Sequence, residues 1–113
     1  MTFSHLPIAA AVVFFITATM TLATDANEIQ AGKKLAEKLC SKCHAVTPGG
    51  KSPMAKAPTF KAIANRYSVW SLQEALAEGI VTGHPGMPQF IFGPTEIDDL
   101  LGYWDTMTVK KPK

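Results

Sequence analysis

A chain of 113 residues with a formal net charge of +2 and 47% hydrophobic residues has room for one domain. It contains no repeats, heptads or low-complexity tracts, and no nucleic-acid partner is expected. Its two cysteines stand three positions apart, so a disulfide between them would close too small a loop to constrain much chain entropy.

Residues 1–24 contain no Asp, Glu, Lys or Arg, and residues 8–22 (IAAAVVFFITATMTL) form an apolar run. Small residues at Thr21/Ala23 or Thr24/Ala26 then offer cleavage sites. Residues 1–26 are therefore expected to be a secretory leader, with residues 27–113 as the exported domain. The usual basic residue before the apolar run is missing, and residues 6–23 approach the roughly 20 apolar positions needed to cross a bilayer. An uncleaved anchor is the alternative. Without the leader, a hydrophobic core alone supplies marginal stability, and a bound apolar group would add to it.

The first predicted helix covers residues 26–42. Asp25 followed by Glu28 has the form of a capping box, and Ile29, Ala31, Leu35, Ala36 and Leu39 supply an apolar face. Residues 45–57, with two prolines and two glycines, read as a loop. Thr59 can cap a short helix ending at Asn65, and Ser71 with Glu74 can open a third over 72–78, with Gly79 as its terminator. The segment GIVTGHPGMPQFIFGP has too many glycines and prolines for a helix or a central strand; it should wrap something. Thr95 and Asp98 open the last helix, where Ile97, Leu100, Leu101, Tyr103 and Trp104 form the buried stripe.

Charge is uneven along this order. Lys33, Lys34, Lys38, Lys42, Lys51, Lys56, Lys61 and Arg66 face Glu37 alone over residues 33–66, a net of +7. Residues 67–107 carry six acidic residues and no basic one. Such a dipole can steer docking with an acidic partner; solvated helix faces are the plainer explanation.

CSKCH at residues 40–44 has the CxxCH form of covalent haem attachment, in which Cys40 and Cys43 reach the two vinyl groups and His44 meets the iron. A zinc site would need a fourth ligand and has no second CxxC to draw on, though His84 is available. A thioredoxin-like redox site expects strands alternating with helices, and strand signals are nearly absent. The second axial ligand comes from Met54, Met87, Met107 or His84. Met54 follows His44 through a short loop and Met107 ends the last helix, whereas Met87 lies between Gly86 and Pro88 far along the chain. Met87 is favoured, on its loop position and on the Met/His ligation known for such proteins, with His84 as the rival.

CSKCH, HPGMP and the final DLLGYW, in this order, resemble the class I cytochrome c family over the whole mature chain. The resemblance implies an all-α fold of about four short helices around one covalently bound haem c. It implies that Gly32 packs against Tyr103, with Leu100 one turn earlier, and that the Pro58 carbonyl accepts the Nδ1–H of His44. It also places Arg66, Tyr67 and Trp70 near the haem propionates, with ordinary rim or surface roles as the alternative. Leu35–Ala36 stands where many relatives carry Phe, so the helix crossing should differ in packing.

With His44 and Met87 both bound, the iron has no open site, and the expected role is single-electron transfer rather than catalysis. The expectation is a monomeric periplasmic shuttle between redox proteins with acidic docking surfaces. Lys42, Lys51, Lys56 and Lys61 would surround the exposed haem edge, and membrane association follows only if the leader is retained. The alternatives are a dedicated electron-transfer subunit of an oxidase or dehydrogenase, or a haem enzyme if the distal ligand is labile.

Overall fold

The computed structural model describes residue 1, residues 19–79 and residues 86–109. His84, the basic tail from residue 110 and most of the leader lie outside the described residues. Among these residues four α-helices follow in order: α1 Thr19–Leu39, α2 Phe60–Arg66, α3 Gln73–Glu78 and α4 Pro94–Asp105, with a 3₁₀ turn Val69–Leu72 leading into α3. Among the described residues there is no strand, and no helix is both long and apolar enough to cross a membrane.

The helix order matches the sequence reading, while several ends do not. α1 already includes Thr19, where the described stretch opens, seven residues before the expected start, because no Gly or Pro interrupts the chain there. Asp25 and Glu28 consequently lie inside the helix and cap nothing. At the other end α1 stops at Leu39, and the Cys43 and His44 amides both turn back to the Cys40 carbonyl, at 3.2 and 2.9 Å.

Thr59 does cap α2, its Oγ1 accepting the Ala62 N–H at 3.0 Å, and the helix runs one residue beyond expectation to Arg66. The Ser71–Glu74 box does not form. Ser71 Oγ donates to the Ser68 carbonyl at 2.7 Å within the 3₁₀ turn, so that turn occupies the place where a cap was expected. Gly79 ends α3 at φ 90°, a conformation that costs other residues backbone strain. α4 starts at Pro94, with Gly93 before it and Glu96 Oε2 accepting the Gly93 N–H at 3.0 Å. Pro at the first helical position outcompetes the expected Thr95 cap because its φ is already helical and it has no N–H to satisfy.

α1 crosses α4 at Gly32, where a Cβ would collide with the Asp99 carbonyl and come within 2.9 Å of Tyr103 Cβ. The expected Gly32–Tyr103 contact is present, and the Asp99 backbone is nearer still. Ala36 is wholly buried and Leu35 packs at the margin of the core, so small side chains let the two helices approach. Ala31 lies outside the packed face and is exposed. The core gathers Ala36, Phe60, Ile63, Val69, Leu76, Phe92, Leu100, Leu101, Trp104 and Met107.

Candidate functional site

Two adjoining cavities lie where the helices leave the core incomplete, of about 170 Å³ and about 610 Å³. Cys40, His44, Met87, Pro88 and Phe90 line both. Phe60, Ile63, Tyr67, Leu72, Leu76, Phe92, Leu100 and Trp104 wall the smaller one; Cys43, Met54 and Gly86 border the larger, with Lys38, Lys42 and Lys56 at its edge. Together they have the size and apolar lining of a cofactor cleft, for which volumes of roughly 300–1,000 Å³ are typical.

The tight turn after α1 sets the attachment residues. With Cys43 N–H and His44 N–H both bonded to the Cys40 carbonyl, the backbone of Cys40, Cys43 and His44 lies within one tight turn. The loop beyond returns to this turn through Met54 N–H to the Cys43 carbonyl at 3.2 Å and Ala45 N–H to Ser52 Oγ at 3.1 Å. His44 Nδ1 lies 2.7 Å from the Pro58 carbonyl, the contact the resemblance implied. A carbonyl only accepts, so Nδ1 carries the proton and the Nε2 lone pair is free to bind a metal.

As a free thiol, Cys40 is pushed up to about 11 by burial. It is neutral at pH 7, unlike the lowered-pKa thiolates of redox-active CxxC sites. Among the described residues no three His, Cys, Asp or Glu side chains gather as a metal-binding cluster. A flat, largely apolar group with a metal that takes nitrogen and sulfur ligands, anchored through thiols, suits this donor set.

The structure separates the methionines. Met107 is 5% exposed within the core, and its carbonyl accepts Asn65 Nδ2–H at 3.2 Å; it lines neither cavity. Met54, 47% exposed, borders only the larger one, while Met87 lines both together with His44. His84 lies outside the described residues. Of the three residues expected near the propionates, Tyr67 lines the smaller cavity, whereas Arg66 and Trp70 are exposed and line neither. Lys42 and Lys56 stand at the cavity edge as expected; Lys51 and Lys61 do not, and Lys38 joins in their place.

Phe60 and Phe90 are wall residues that the sequence reading passed over. The signal was available in an aromatic two positions after Pro58 and another three after Met87. Phe60 is 2% exposed, stacks on Trp104 with ring centroids 3.9 Å apart, and lies 5.9 Å from the His44 ring.

A small all-α fold closed by a crossing of its first and last helices, with a CxxCH turn opening onto an apolar cleft, defines a class I c-type cytochrome. The family model for cytochrome c matches residues 29–108, and the chain belongs to that family. Its members bind covalently attached haem c and serve in haem-based electron transfer, generally as carriers rather than enzymes. A search of curated proteins returned no match, and neither did a search of solved structures.

Proposed function

We propose that this protein is a one-electron carrier in which Cys40 and Cys43 attach the haem and His44 and Met87 are the axial ligands. The observation that carries the reading is that His44 and Met87 line both parts of the cleft while Pro58 leaves His44 Nε2 as the free ring nitrogen. Cys40 and Cys43 would hold the haem as thioethers, each thiol adding its sulfur to one vinyl carbon and its hydrogen to the neighbouring one with no electron gained or lost. When bound, haem c supplies an iron that is oxidised or reduced by one electron.

The chain's residues do the rest. His44, steered by Pro58, presents an imidazole of defined tautomer. Met87 supplies a soft thioether from a loop restrained by Pro88, whose ring fixes φ. Phe60, Ile63, Leu76, Phe92, Leu100 and Trp104 exclude water from one side. With His44 and Met87 both holding the iron, no position would be left for substrate, so the reading is electron transfer and not catalysis.

Lys38, Lys42 and Lys56, exposed at the edge of the larger cavity, make this edge the docking face for an acidic redox partner. We place the mature domain, residues 27–113, in the periplasm as a monomer after removal of the leader.

The test is Met87→Ala in protein made with the haem-attachment machinery. Loss of the ferric sulfur-to-iron charge-transfer band with a lowered midpoint potential is expected; an unchanged spectrum would reject Met87. Reversing Lys38, Lys42 and Lys56 to Glu should slow electron transfer with an acidic partner and weaken its dependence on salt. N-terminal sequencing of exported protein reads the leader directly.

A further inference from the structure

His44 is steered at two points drawn from one short stretch of chain. Its Nδ1 donates to the Pro58 carbonyl at 2.7 Å, and its ring lies against Phe60, with centroids 5.9 Å apart and planes at 54°. The first contact fixes where Nδ1 sits and leaves the ring able to tilt about the Nδ1···O axis. The Phe60 ring takes up that freedom, provided Phe60 is itself held.

Phe60 is held three ways. Its N–H donates to the Ala45 carbonyl at 2.9 Å, beside His44 in the chain. Its carbonyl accepts the Trp104 Nε1–H at 2.8 Å. Its ring stacks on the indole at 3.9 Å with planes 14° apart, nearer than the roughly 4.5–7 Å usual for aromatic pairs. Both residues are buried. An indole N–H is a donor only, so the hydrogen bond and the stack together give Trp104 a single arrangement that satisfies both.

We propose that Trp104 is a positioning residue for His44: acting through Phe60, it sets the rotation of the imidazole and the direction in which Nε2 points. This rests on the reading of His44 as an iron ligand. The constraint joins the last helix to the attachment loop, because Trp104 lies 44 residues beyond Phe60. The three residues have separate roles, in that Pro58 selects the tautomer, Phe60 sets the tilt, and Trp104 makes Phe60 rigid.

The experiment compares ferric holoprotein of the wild type, Trp104→Phe and Phe60→Leu by the hyperfine-shifted haem-methyl resonances, which report the orientation of the axial imidazole, and by midpoint potential. Trp104→Phe keeps a ring that can stack and removes the N–H donor. Phe60→Leu keeps the carbonyl that accepts from Trp104 and removes the ring against His44. Both should change the order and spread of the methyl resonances and displace the potential, Phe60→Leu by more. Variants that lose thermal stability yet reproduce the wild-type resonances and potential would overturn the proposal, leaving Trp104 a packing residue. If Trp104→Phe does not accumulate as holoprotein, Trp104→Tyr, which likewise lacks the indole N–H, is read in its place, and wild-type resonances in Phe60→Leu overturn the proposal by themselves. His44→Gly, produced with imidazole in the medium and then dialysed free of it, checks the underlying reading separately: a haem spectrum that stays as in the wild type once the imidazole is gone would remove His44 as a ligand, a result distinct from a silent Trp104 variant.

Discussion

The segment bearing His44 and the segment bearing Met87 face the same cleft, and they are held by different means. Residues 40–60 are closed on themselves by His44 Nδ1–H to the Pro58 carbonyl and Phe60 N–H to the Ala45 carbonyl, and are tied to α4 through Tyr103 O–H to the Val46 carbonyl at 2.6 Å and Trp104 Nε1–H to the Phe60 carbonyl. Among the described residues, the segment 86–92 is tied to another element by one backbone hydrogen bond, Phe92 N–H to the Leu76 carbonyl at 3.2 Å. Its further restraint is steric: a Cβ on Gly79 would come within 2.5–3.0 Å of the Gln89 side chain, so α3's terminating glycine admits Gln89, two residues from Met87. A region cross-linked within itself and hydrogen-bonded to a core helix opens only with much of the fold, whereas one fixed by packing and stiff residues opens locally. The His44 side is thus bound up with global stability, and on the proposed ligation the Met87 side is where ligand exchange would start.

The strongest test of that contrast is Phe60→Ala. Removing a fully buried ring should cost about 3–5 kcal/mol, and denaturant unfolding of the holoprotein measures it. A loss under about 1 kcal/mol, well below that range, would break the claim that stability concentrates here. Gly79→Ala probes the other side. At φ 90° an alanine costs about 1–3 kcal/mol of backbone strain, and Gln89 must swing away. Imidazole should therefore bind the ferric protein more tightly in this variant than in Phe60→Leu, and equal affinities would erase the distinction between the two sides.

Thr59→Ala removes the cap that starts α2 next to Pro58 and should cost about 1 kcal/mol, with imidazole affinity unchanged. The smallest effect is expected from Tyr103→Phe, about 0.5–1.5 kcal/mol for the bond to Val46, and it carries a pH signature. Burial, helped by the negative charge of Glu37, raises the Tyr103 hydroxyl above its ordinary value. The folded protein therefore holds this proton more tightly than the unfolded chain does. The associated stability is complete below the unfolded tyrosine value of about 10 and is lost as pH rises from there through the higher folded value. Unfolding measured across this range should show a decline in the wild type that is reduced in Tyr103→Phe.

Much of this was legible in the chain itself. The CSKCH turn and the apolar stripe of α4 are local patterns, and both formed where the sequence placed them; of the Gly/Pro-rich segment, the described residues 86–93 carry neither helix nor strand. The Thr59 cap was legible for the same reason, since its partner, Ala62, is three residues away. Helix ends failed where two local signals competed: Pro94 over Thr95, and the 3₁₀ turn over Ser71. The start of α1 failed because a capping box states a preference that an uninterrupted helix-forming sequence can overrule.

The haem-attachment turn and the order of helices were determined by the sequence alone, because both depend on residues within a few positions of one another. Which side chains wall the cleft was decided by the tertiary structure. Phe60 meets Trp104 across 44 residues and Tyr103 meets Val46 across 57. No period or spacing encodes those meetings; they arise when α4 packs across α1 at Gly32, whose missing side chain lets the two backbones approach.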